Sequence, residues 1–322
     1  MNHQRTITLW RSKTVLRFLI VIFLAAAGPD SAFSAPDNVA KLESPHFHLQ
    51  LPADCRRLGE QVLKIAESAR QFVLAKLPKA VEERIGLAWC ATESDFYSHL
   101  GERRGHLLAV AFPSMRRVYL NGEQLQRLDR GRLHQALVHE FVHVYVGRLI
   151  REPIPLWLHE GLAMMVAGEW DLADSTLLAA DSLFGALLPA EQLAQSFPSA
   201  PSSQQRAYRQ SYSMTAFLLH LRYPTSGLQG LVADLAETNG PSLIRSLLAD
   251  PRWMVQFDQQ WRREWVRPGR ITLILTSSGT FWALVAGLLI AAYWRRHRTR
   301  TQREARWAWE EEFEYHDDEF DD

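Results

Sequence analysis

The sequence is poor in cysteine and carries no excess charge of either sign. Its 322 residues include two cysteines, Cys55 and Cys90, and 36 basic and 36 acidic side chains that leave a formal net charge of zero. The two cysteines could form one disulfide in an oxidising compartment, and neither has the spacing of a metal ligand. A chain without a basic excess gives no indication of a nucleic-acid groove or of a polyanionic partner.

The first of two long apolar runs lies close to the N-terminus. Residues 18–27 are apolar, they follow a segment whose only charged side chains are basic, and small residues come after them. This order is typical of a secretory signal peptide, and so short a run is unlike a membrane-spanning helix. The sequence therefore predicts a signal peptide over residues 1–34, with an uncleaved signal anchor as the alternative.

The second apolar run, residues 271–294, contains no charged side chain and is followed at once by arginines. As a helix it would rise about 36 Å, which is enough to cross the hydrocarbon core of a bilayer. Positive charge beside a span marks the cytoplasmic side. The sequence predicts an extracytoplasmic domain over 35–268, a transmembrane helix over 271–294, and a cytoplasmic tail over 295–322 that is first basic and then acidic.

Hydrophobic periodicity divides the exported region into a strand-rich half and a helical half. Alternating or short apolar runs predict strands, and apolar positions three or four residues apart predict amphipathic helices. Strands followed by helices are typical of α+β organisation. Strands are predicted near 46–51, 85–90, 106–112 and 117–120, and helices near 54–77, 93–100, 129–150 and 156–170.

A pair of histidines on the helix predicted at 129–150 carries the main chemical signal. The run reads His139-Glu-Phe-Val-His143. Residues four apart on a helix face the same way, so both imidazoles can reach one ion, and neutral imidazole is a common zinc ligand. Glu140 projects to the side, where it can reach a water on the metal. The motif predicts a metal site with Glu140 as general base, and it requires a third ligand.

The third ligand is expected on the next helix. The extended form of the motif, with a histidine six residues after the second ligand, is excluded because Leu149 stands there. Glu160 follows a turn that Pro153 and Pro155 favour. Its neighbour His159 competes for the role, but the two lie about 100° apart around the helix, so only one can point at the site. Glu160 is preferred, since two histidines and a glutamate form a known ligand set of catalytic zinc.

His139 and His143, followed by Trp157-Leu-x-Glu160-Gly161, resemble the gluzincin metallopeptidases, in particular the peptidase MA-like domains of bacterial membrane and secreted proteins. The similarity covers residues 45–265, and the metal motif is its most specific part. The resemblance implies a zincin-like fold, with a mixed sheet over the active-site helix, and hydrolysis of peptide bonds in peptides or proteins. With the export signals, it implies a single-pass protein of the bacterial inner membrane with a periplasmic catalytic domain.

The ligand set and the resemblance together predict how hydrolysis proceeds. One Zn²⁺ per chain lowers the pKa of its water to about 7, and Glu140 takes the proton. The developing oxyanion needs a further donor. Related enzymes have a Tyr or His on a helix after the third ligand, which makes Tyr208 or Tyr212 the candidate, with core packing as the alternative for both. The strand near Val118–Leu120 is expected to offer its edge to an extended peptide.

Two other functions stay open at this level. One is a catalytically inactive zincin-like domain that serves as an envelope binding or scaffold protein, although the intact Glu140 and ligand trio argue against it. The other is a structural membrane protein in which the two histidines only pack. Metal analysis distinguishes the structural membrane protein from a zinc enzyme. A Glu140→Gln variant distinguishes the inactive zincin-like domain from an active peptidase.

Overall fold

The computed structural model describes residues 39–77, 84–100, 107–150, 152–237, 242–269 and 285–296. The predicted signal peptide at 1–34 and the tail beyond residue 296 lie outside the described residues. The chain divides into two compact units, Met1–Val266 and Arg267–Asp322. Among the described residues, the first unit contains all the strands and the numbered helices, and the second contains a helix at 285–296.

The predicted fold class combined a zincin-like α+β domain with one C-terminal transmembrane helix, and the second part of that prediction is wrong. Among the described residues, no helix is both long and apolar enough to cross a bilayer. Residues 271–284 of the predicted span at 271–294 lie outside the described residues. The finding also corrects the predicted single-pass inner-membrane location and the membrane as a partner.

The first unit begins with a sheet and continues as a helical half. The strands are β1 Val39–Glu43, β2 Phe47–Pro52, β3 Ile85–Cys90, β4 Ala109–Phe112 and β5 Arg117–Asn121. The helices are α1 Arg56–Lys76, α2 Glu93–Ser98, α3 Gly122–Leu125, α4 Arg130–Leu149, α5 Leu156–Ala167, α6 Leu172–Leu183, α7 Ala190–Gln195, α8 Pro201–Arg222, α9 Gly227–Ala236, α10 Leu243–Ala249 and α11 Pro251–Gln260. Trp261–Val266 continues α11 as a π-helix.

The strands form one mixed sheet in the order β1-β2-β3-β5-β4. Strands β2, β3 and β5 run parallel, whereas β1 and β4 pair antiparallel at the two edges. The expectation that Val118–Leu120 offers a free edge is therefore wrong, because β5 lies between β3 and β4. The edge on that side belongs to β4.

One face of the sheet packs against α1 and α4. Side chains of a strand alternate between the two faces, and in β2 the inward set comprises Phe47, Leu49 and Leu51, each exposed by 1% or less. Phe47 stacks on Phe141 of α4 with ring centroids 4.9 Å apart. Helix α4 is buried along most of its length, so the residues that it carries are fixed against the sheet.

The helical half meets α4 through α5 and α8. The Asp129 side chain caps α4 by accepting from the Arg132 backbone amide at 2.9 Å, and Pro155 precedes the first turn of α5. Gly161 lies where α5 crosses α8: a Cβ atom there would clash with Thr215 Oγ1 and would lie 2.5 Å from the Ser211 carbonyl oxygen. A side chain of any size at this position would push the two helices apart.

Candidate metal centre

Helix α4 brings His139 and His143 to one buried point. The two residues lie one turn apart on the helix, as their spacing predicts, and their ring centroids are 4.7 Å apart. Their exposed fractions are 1% and 0%. Burial of imidazole rings inside an apolar helix interface calls for polar partners, and the partners come from α5.

Helix α5 supplies the third member of the group. Glu160 Oε2 lies 3.5 Å from His139 Nε2 and 3.8 Å from His143 Nε2, and Glu160 is 1% exposed. Ligand atoms of the three residues all lie within 4.8 Å of one another, so the group can hold a metal ion. The three residues predicted from the sequence are therefore brought together by the fold.

The chemistry of the buried donors fits a cation. Apart from their contacts with one another, His139 Nε2, both ring nitrogens of His143 and Glu160 Oε2 are buried without a hydrogen-bond partner among the described residues. Buried polar atoms are rarely left in that state. Two imidazole nitrogens and a carboxylate oxygen are the donors that divalent zinc takes, so a cation would satisfy His139 Nε2, His143 Nε2 and Glu160 Oε2 at once.

The electrostatics of the two histidines differ. Burial acts to lower the pKa of His139, but the carboxylates of Glu169 and Glu160 outweigh it and hold this pKa well above its ordinary value. Burial lowers the pKa of His143 well below its ordinary value, and the neighbouring His159 and His139 lower it further. His143 is therefore neutral, which is the form in which imidazole binds a metal.

His159, the alternative third ligand, lies beside the group and not within it. Its ring stacks on His143 with centroids 4.7 Å apart and planes inclined by 7°. Burial lowers the pKa of His159 to about 4, and His139 contributes to the same effect. A neutral ring stacked on His143 restricts the rotation of that ring, so His159 packs against a candidate ligand.

Glu140 lies on α4 directly beside the group and is fully buried. Burial, the largest effect, raises the pKa of Glu140 to about 8. The carboxylates of Glu160 and Glu169 also raise this pKa, whereas His139 and the backbone amide of Ala111 on β4 lower it. Glu140 is thus a buried acid next to the candidate ligand His139 on α4, and Ala111 of β4 lies near its carboxyl group.

Glu169 belongs to the site and was not found from the sequence. His139 Nδ1 lies 3.0 Å from Glu169 Oε1. Helix α5 ends at Ala167, and the φ of 69° at Gly168 turns the chain so that the Glu169 backbone amide donates to the Met164 carbonyl oxygen at 3.0 Å. A carboxylate on the far nitrogen of a metal-binding histidine fixes the tautomer and the ring orientation. The glycine after the helix was the available signal, since it marks a reversal of the chain.

The two predicted tyrosines have different surroundings. Burial raises the pKa of Tyr208 well above its ordinary value, and the charges of Glu160, Glu140 and Glu169 raise it further, whereas a hydrogen bond with Gln204 lowers it. The buried Tyr208 is therefore within electrostatic range of the candidate centre. Tyr212 stacks on Trp170 with centroids 4.4 Å apart, and burial alone raises its pKa.

Comparison with known proteins agrees with this geometry. Residues 105–248, somewhat less than half of the chain, match the family model of the Peptidase MA superfamily. The matched segment contains α4, α5 and α8 and so every residue of the candidate centre. No curated protein and no solved structure matches the chain significantly. The family match supports the resemblance to peptidase MA proteins, a metallopeptidase-like function and a peptide or protein as substrate.

Proposed function

We propose that this protein is a zinc-dependent peptidase of the gluzincin type, with His139, His143 and Glu160 as metal ligands and Glu140 as general base. The observation that carries the proposal is the convergence of three buried donors at one point on α4 and α5, with a second buried acid, Glu140, beside them. The match of residues 105–248 to the Peptidase MA superfamily supports the same reaction class.

The types of donor atom support zinc as the proposed ion. Two imidazole nitrogens and one carboxylate oxygen form a set that zinc takes in catalytic sites, where a fourth position stays open. When bound, zinc acts as a Lewis acid that polarises a carbonyl group and lowers the pKa of water. Hard cations such as Ca²⁺ and Mg²⁺ prefer oxygen donors alone, so two histidines disfavour them.

The other catalytic roles fall to side chains that do not bind the metal. Glu140 accepts a proton from the attacking water and returns it to the leaving amine. The Glu169 carboxylate, 3.0 Å from His139 Nδ1, keeps Nε2 of that ring directed at the ion. Tyr208 donates its hydroxyl hydrogen to the oxygen on which negative charge develops. Tyr212 serves packing against Trp170, which is the alternative that the sequence left open.

Strand β4 is the proposed support for the substrate. It is the edge strand nearest the candidate centre, and the backbone amide of Ala111 on β4 lies close enough to Glu140 to affect the pKa of that carboxyl group. An extended peptide can pair with a free strand edge through main-chain hydrogen bonds. Pairing on β4 would carry a peptide bond past Glu140.

The test compares the full wild-type chain with Glu140→Gln. Zinc is measured by elemental analysis, and hydrolysis is measured on a mixture of fluorescent peptides. The variant should retain the zinc of the wild-type protein and lose hydrolysis by about 100- to 10,000-fold, because a general base is removed while the ligands stay. Glu60→Gln, a change at an exposed position of α1, is the matched control and should hydrolyse at the wild-type rate.

Two outcomes contradict the proposal. Hydrolysis at the wild-type rate in Glu140→Gln would remove the assigned base. A wild-type protein that binds zinc and hydrolyses no peptide of the mixture would favour the inactive zincin-like domain instead.

A further inference from the structure

We propose that Cys90, Asp95 and His99 form a second metal site, which takes a thiophilic divalent cation such as zinc. The three side chains offer a sulfur atom, a carboxylate oxygen and an imidazole nitrogen, all within 4.8 Å of one another. None of the three belongs to the group formed by His139, His143 and Glu160.

The end of β3 and the short helix α2 bring these donors together. Cys90 is the last residue of β3, and the Thr92 hydroxyl caps α2 by accepting from the Asp95 backbone amide at 3.1 Å. Asp95 and His99 are four positions apart and share one side of the helical turn. His99 Nε2 lies 3.6 Å from Asp95 Oδ1. The His99 ring stacks on Tyr119 with centroids 4.7 Å apart, which restrains its orientation.

Alternation along β3 directs Cys90 to the face of the sheet opposite α1 and α4. Leu87 and Trp89 belong to the core on the side of those helices, so the next residue faces the other way. The Cys90 side chain is fully buried among Phe96 and Tyr97 of α2 and their neighbours. The Asp95 side chain is 43% exposed, so a cation could enter from the side of the helix.

The donor set selects for a soft cation. Thiolate, imidazole and carboxylate are all zinc ligands, whereas sulfur is a poor ligand for Ca²⁺ or Mg²⁺. With zinc bonds of roughly 2.0–2.3 Å, ligand atoms in a tetrahedral site lie about 3.3–3.8 Å apart. The pair of Asp95 and His99 already meets that spacing at 3.6 Å. Side-chain adjustments of about 1 Å would bring the Cys90 sulfur atom to the same spacing from the other two ligand atoms.

Binding at this site joins α2 to the end of β3. The Cys90 thiol gives up its proton to solvent as the sulfur becomes a ligand, so one proton is released for each ion bound at the thiol. Three protein donors leave a fourth position to water. The ion would thus strengthen the connection between the strand and the helix that follows it.

Cobalt distinguishes this site from the proposed catalytic centre. Co²⁺ bound to a thiolate has a charge-transfer band in the near ultraviolet, and the group of His139, His143 and Glu160 contains no sulfur. The metal-free full chain is titrated with Co²⁺, and the band is recorded for the wild type, Cys90→Ser, Cys55→Ser and His143→Ala. Cys55 is the matched control, since both cysteines are free.

The expected result is a band in the wild type that disappears in Cys90→Ser and persists in Cys55→Ser and His143→Ala. Absence of the band in the wild type, or its survival in Cys90→Ser, would overturn the assignment. His99→Ala and Asp95→Asn cover the case in which Cys90→Ser does not fold. Each should weaken Co²⁺ binding at the thiolate by about tenfold or more, and unchanged binding in both would also overturn it. Persistence of the band in His143→Ala keeps this result independent of the proposed peptidase activity.

Discussion

His139 Nδ1 lies 3.0 Å from Glu169 Oε1, which connects the helix of the first two candidate ligands to the turn after the helix of the third. A second contact supports this connection, because Gln135, one turn before His139, donates to the carbonyl oxygens of Ala167 and Gly168 at 3.2 and 3.1 Å. The orientation of the His139 ring therefore depends on how α5 ends.

The Glu169 contact predicts the effect of Glu169→Gln. Loss of the carboxylate removes the charge that orients His139, so zinc affinity should fall by about 10- to 100-fold while the fold is retained. Zinc competition with a fluorescent indicator measures the change, and Glu60→Gln serves as the exposed control. Wild-type affinity in Glu169→Gln would mean that the contact has no part in metal binding.

The two tyrosines should respond differently to removal of the hydroxyl group. If Tyr208 donates to the developing oxyanion, Tyr208→Phe should lower kcat by about 100- to 1,000-fold with little change in KM. Tyr212→Phe should leave both constants near the wild-type values, since Tyr212 packs on Trp170. Steady-state kinetics on one cleaved peptide makes the comparison. Equal effects of the two variants would contradict a specific role for Tyr208.

Gly161→Ala should destabilise the protein by about 1–3 kcal/mol. The added methyl group would meet Thr215 Oγ1 and the Ser211 carbonyl oxygen, so α5 and α8 would have to separate. Urea denaturation followed by circular dichroism measures the free energy of unfolding. Gly131→Ala is the matched control, because its methyl group would approach only the exposed Asp129 side chain, at 3.2 Å. An unchanged unfolding midpoint in Gly161→Ala would show that the helices can adjust without cost.

Glu67 predicts a dependence of stability on pH. Its Oε1 accepts from the Ser44 hydroxyl at 2.6 Å and from the His46 backbone amide at 3.0 Å, and its Oε2 lies 2.8 Å from His46 Nδ1. Burial acts to raise the pKa of Glu67, but these hydrogen bonds prevail and lower it. A carboxyl group whose pKa is lower in the folded state stabilises the fold above its unfolded pKa of about 4.3, and this contribution is lost as the pH falls through the folded pKa.

Glu67→Gln should therefore lower the free energy of unfolding at pH 7 by about 1 kcal/mol. The difference from the wild type should shrink as the pH falls below about 4, because both proteins then carry a neutral group at this position. Thermal unfolding at a series of pH values tests this, with Glu60→Gln on the same helix as the control. A difference that stays constant with pH would exclude the carboxylate as its source.

The sequence predicted the parts of the site that depend on local periodicity. The spacing of His139 and His143 is set within one helix, α4. The turn before α5 made Glu160 the candidate third ligand on that second helix. Glu169 was not predicted, because its position depends on a chain reversal at Gly168 and on the packing of α5 against α4. Asp95 and His99 were not predicted as ligands either, because they too depend on tertiary packing. They meet Cys90 only after α2 folds back on β3.

The sequence pattern did not correctly predict the order of the strands in the sheet or the structure after residue 266. The alternation in Val118–Leu120 predicts a strand, but it carries no information on which neighbours pair with it, and β4 occupies the edge. Strand β1 was not predicted, since only Leu42 among its five residues is buried and the run lacks an apolar face. At 271–294 the length, the lack of charge and the arginines that follow predicted a span that no described helix provides.

His139, His143, Glu140 and Glu160 are each exposed by 1% or less, and this enclosure governs how fast an ion held among them would exchange with solution. Because these ligand atoms have no solvent contact, release of an ion requires a local opening of the structure around them. Once capture is fast, the rate of metal loss to a chelator should equal the rate of that opening and should not depend on chelator concentration. The Glu140 carboxylate is equally enclosed, so a peptide paired with β4 would also reach it only after a local opening. Slow metal exchange and restricted substrate entry would then have a common structural origin.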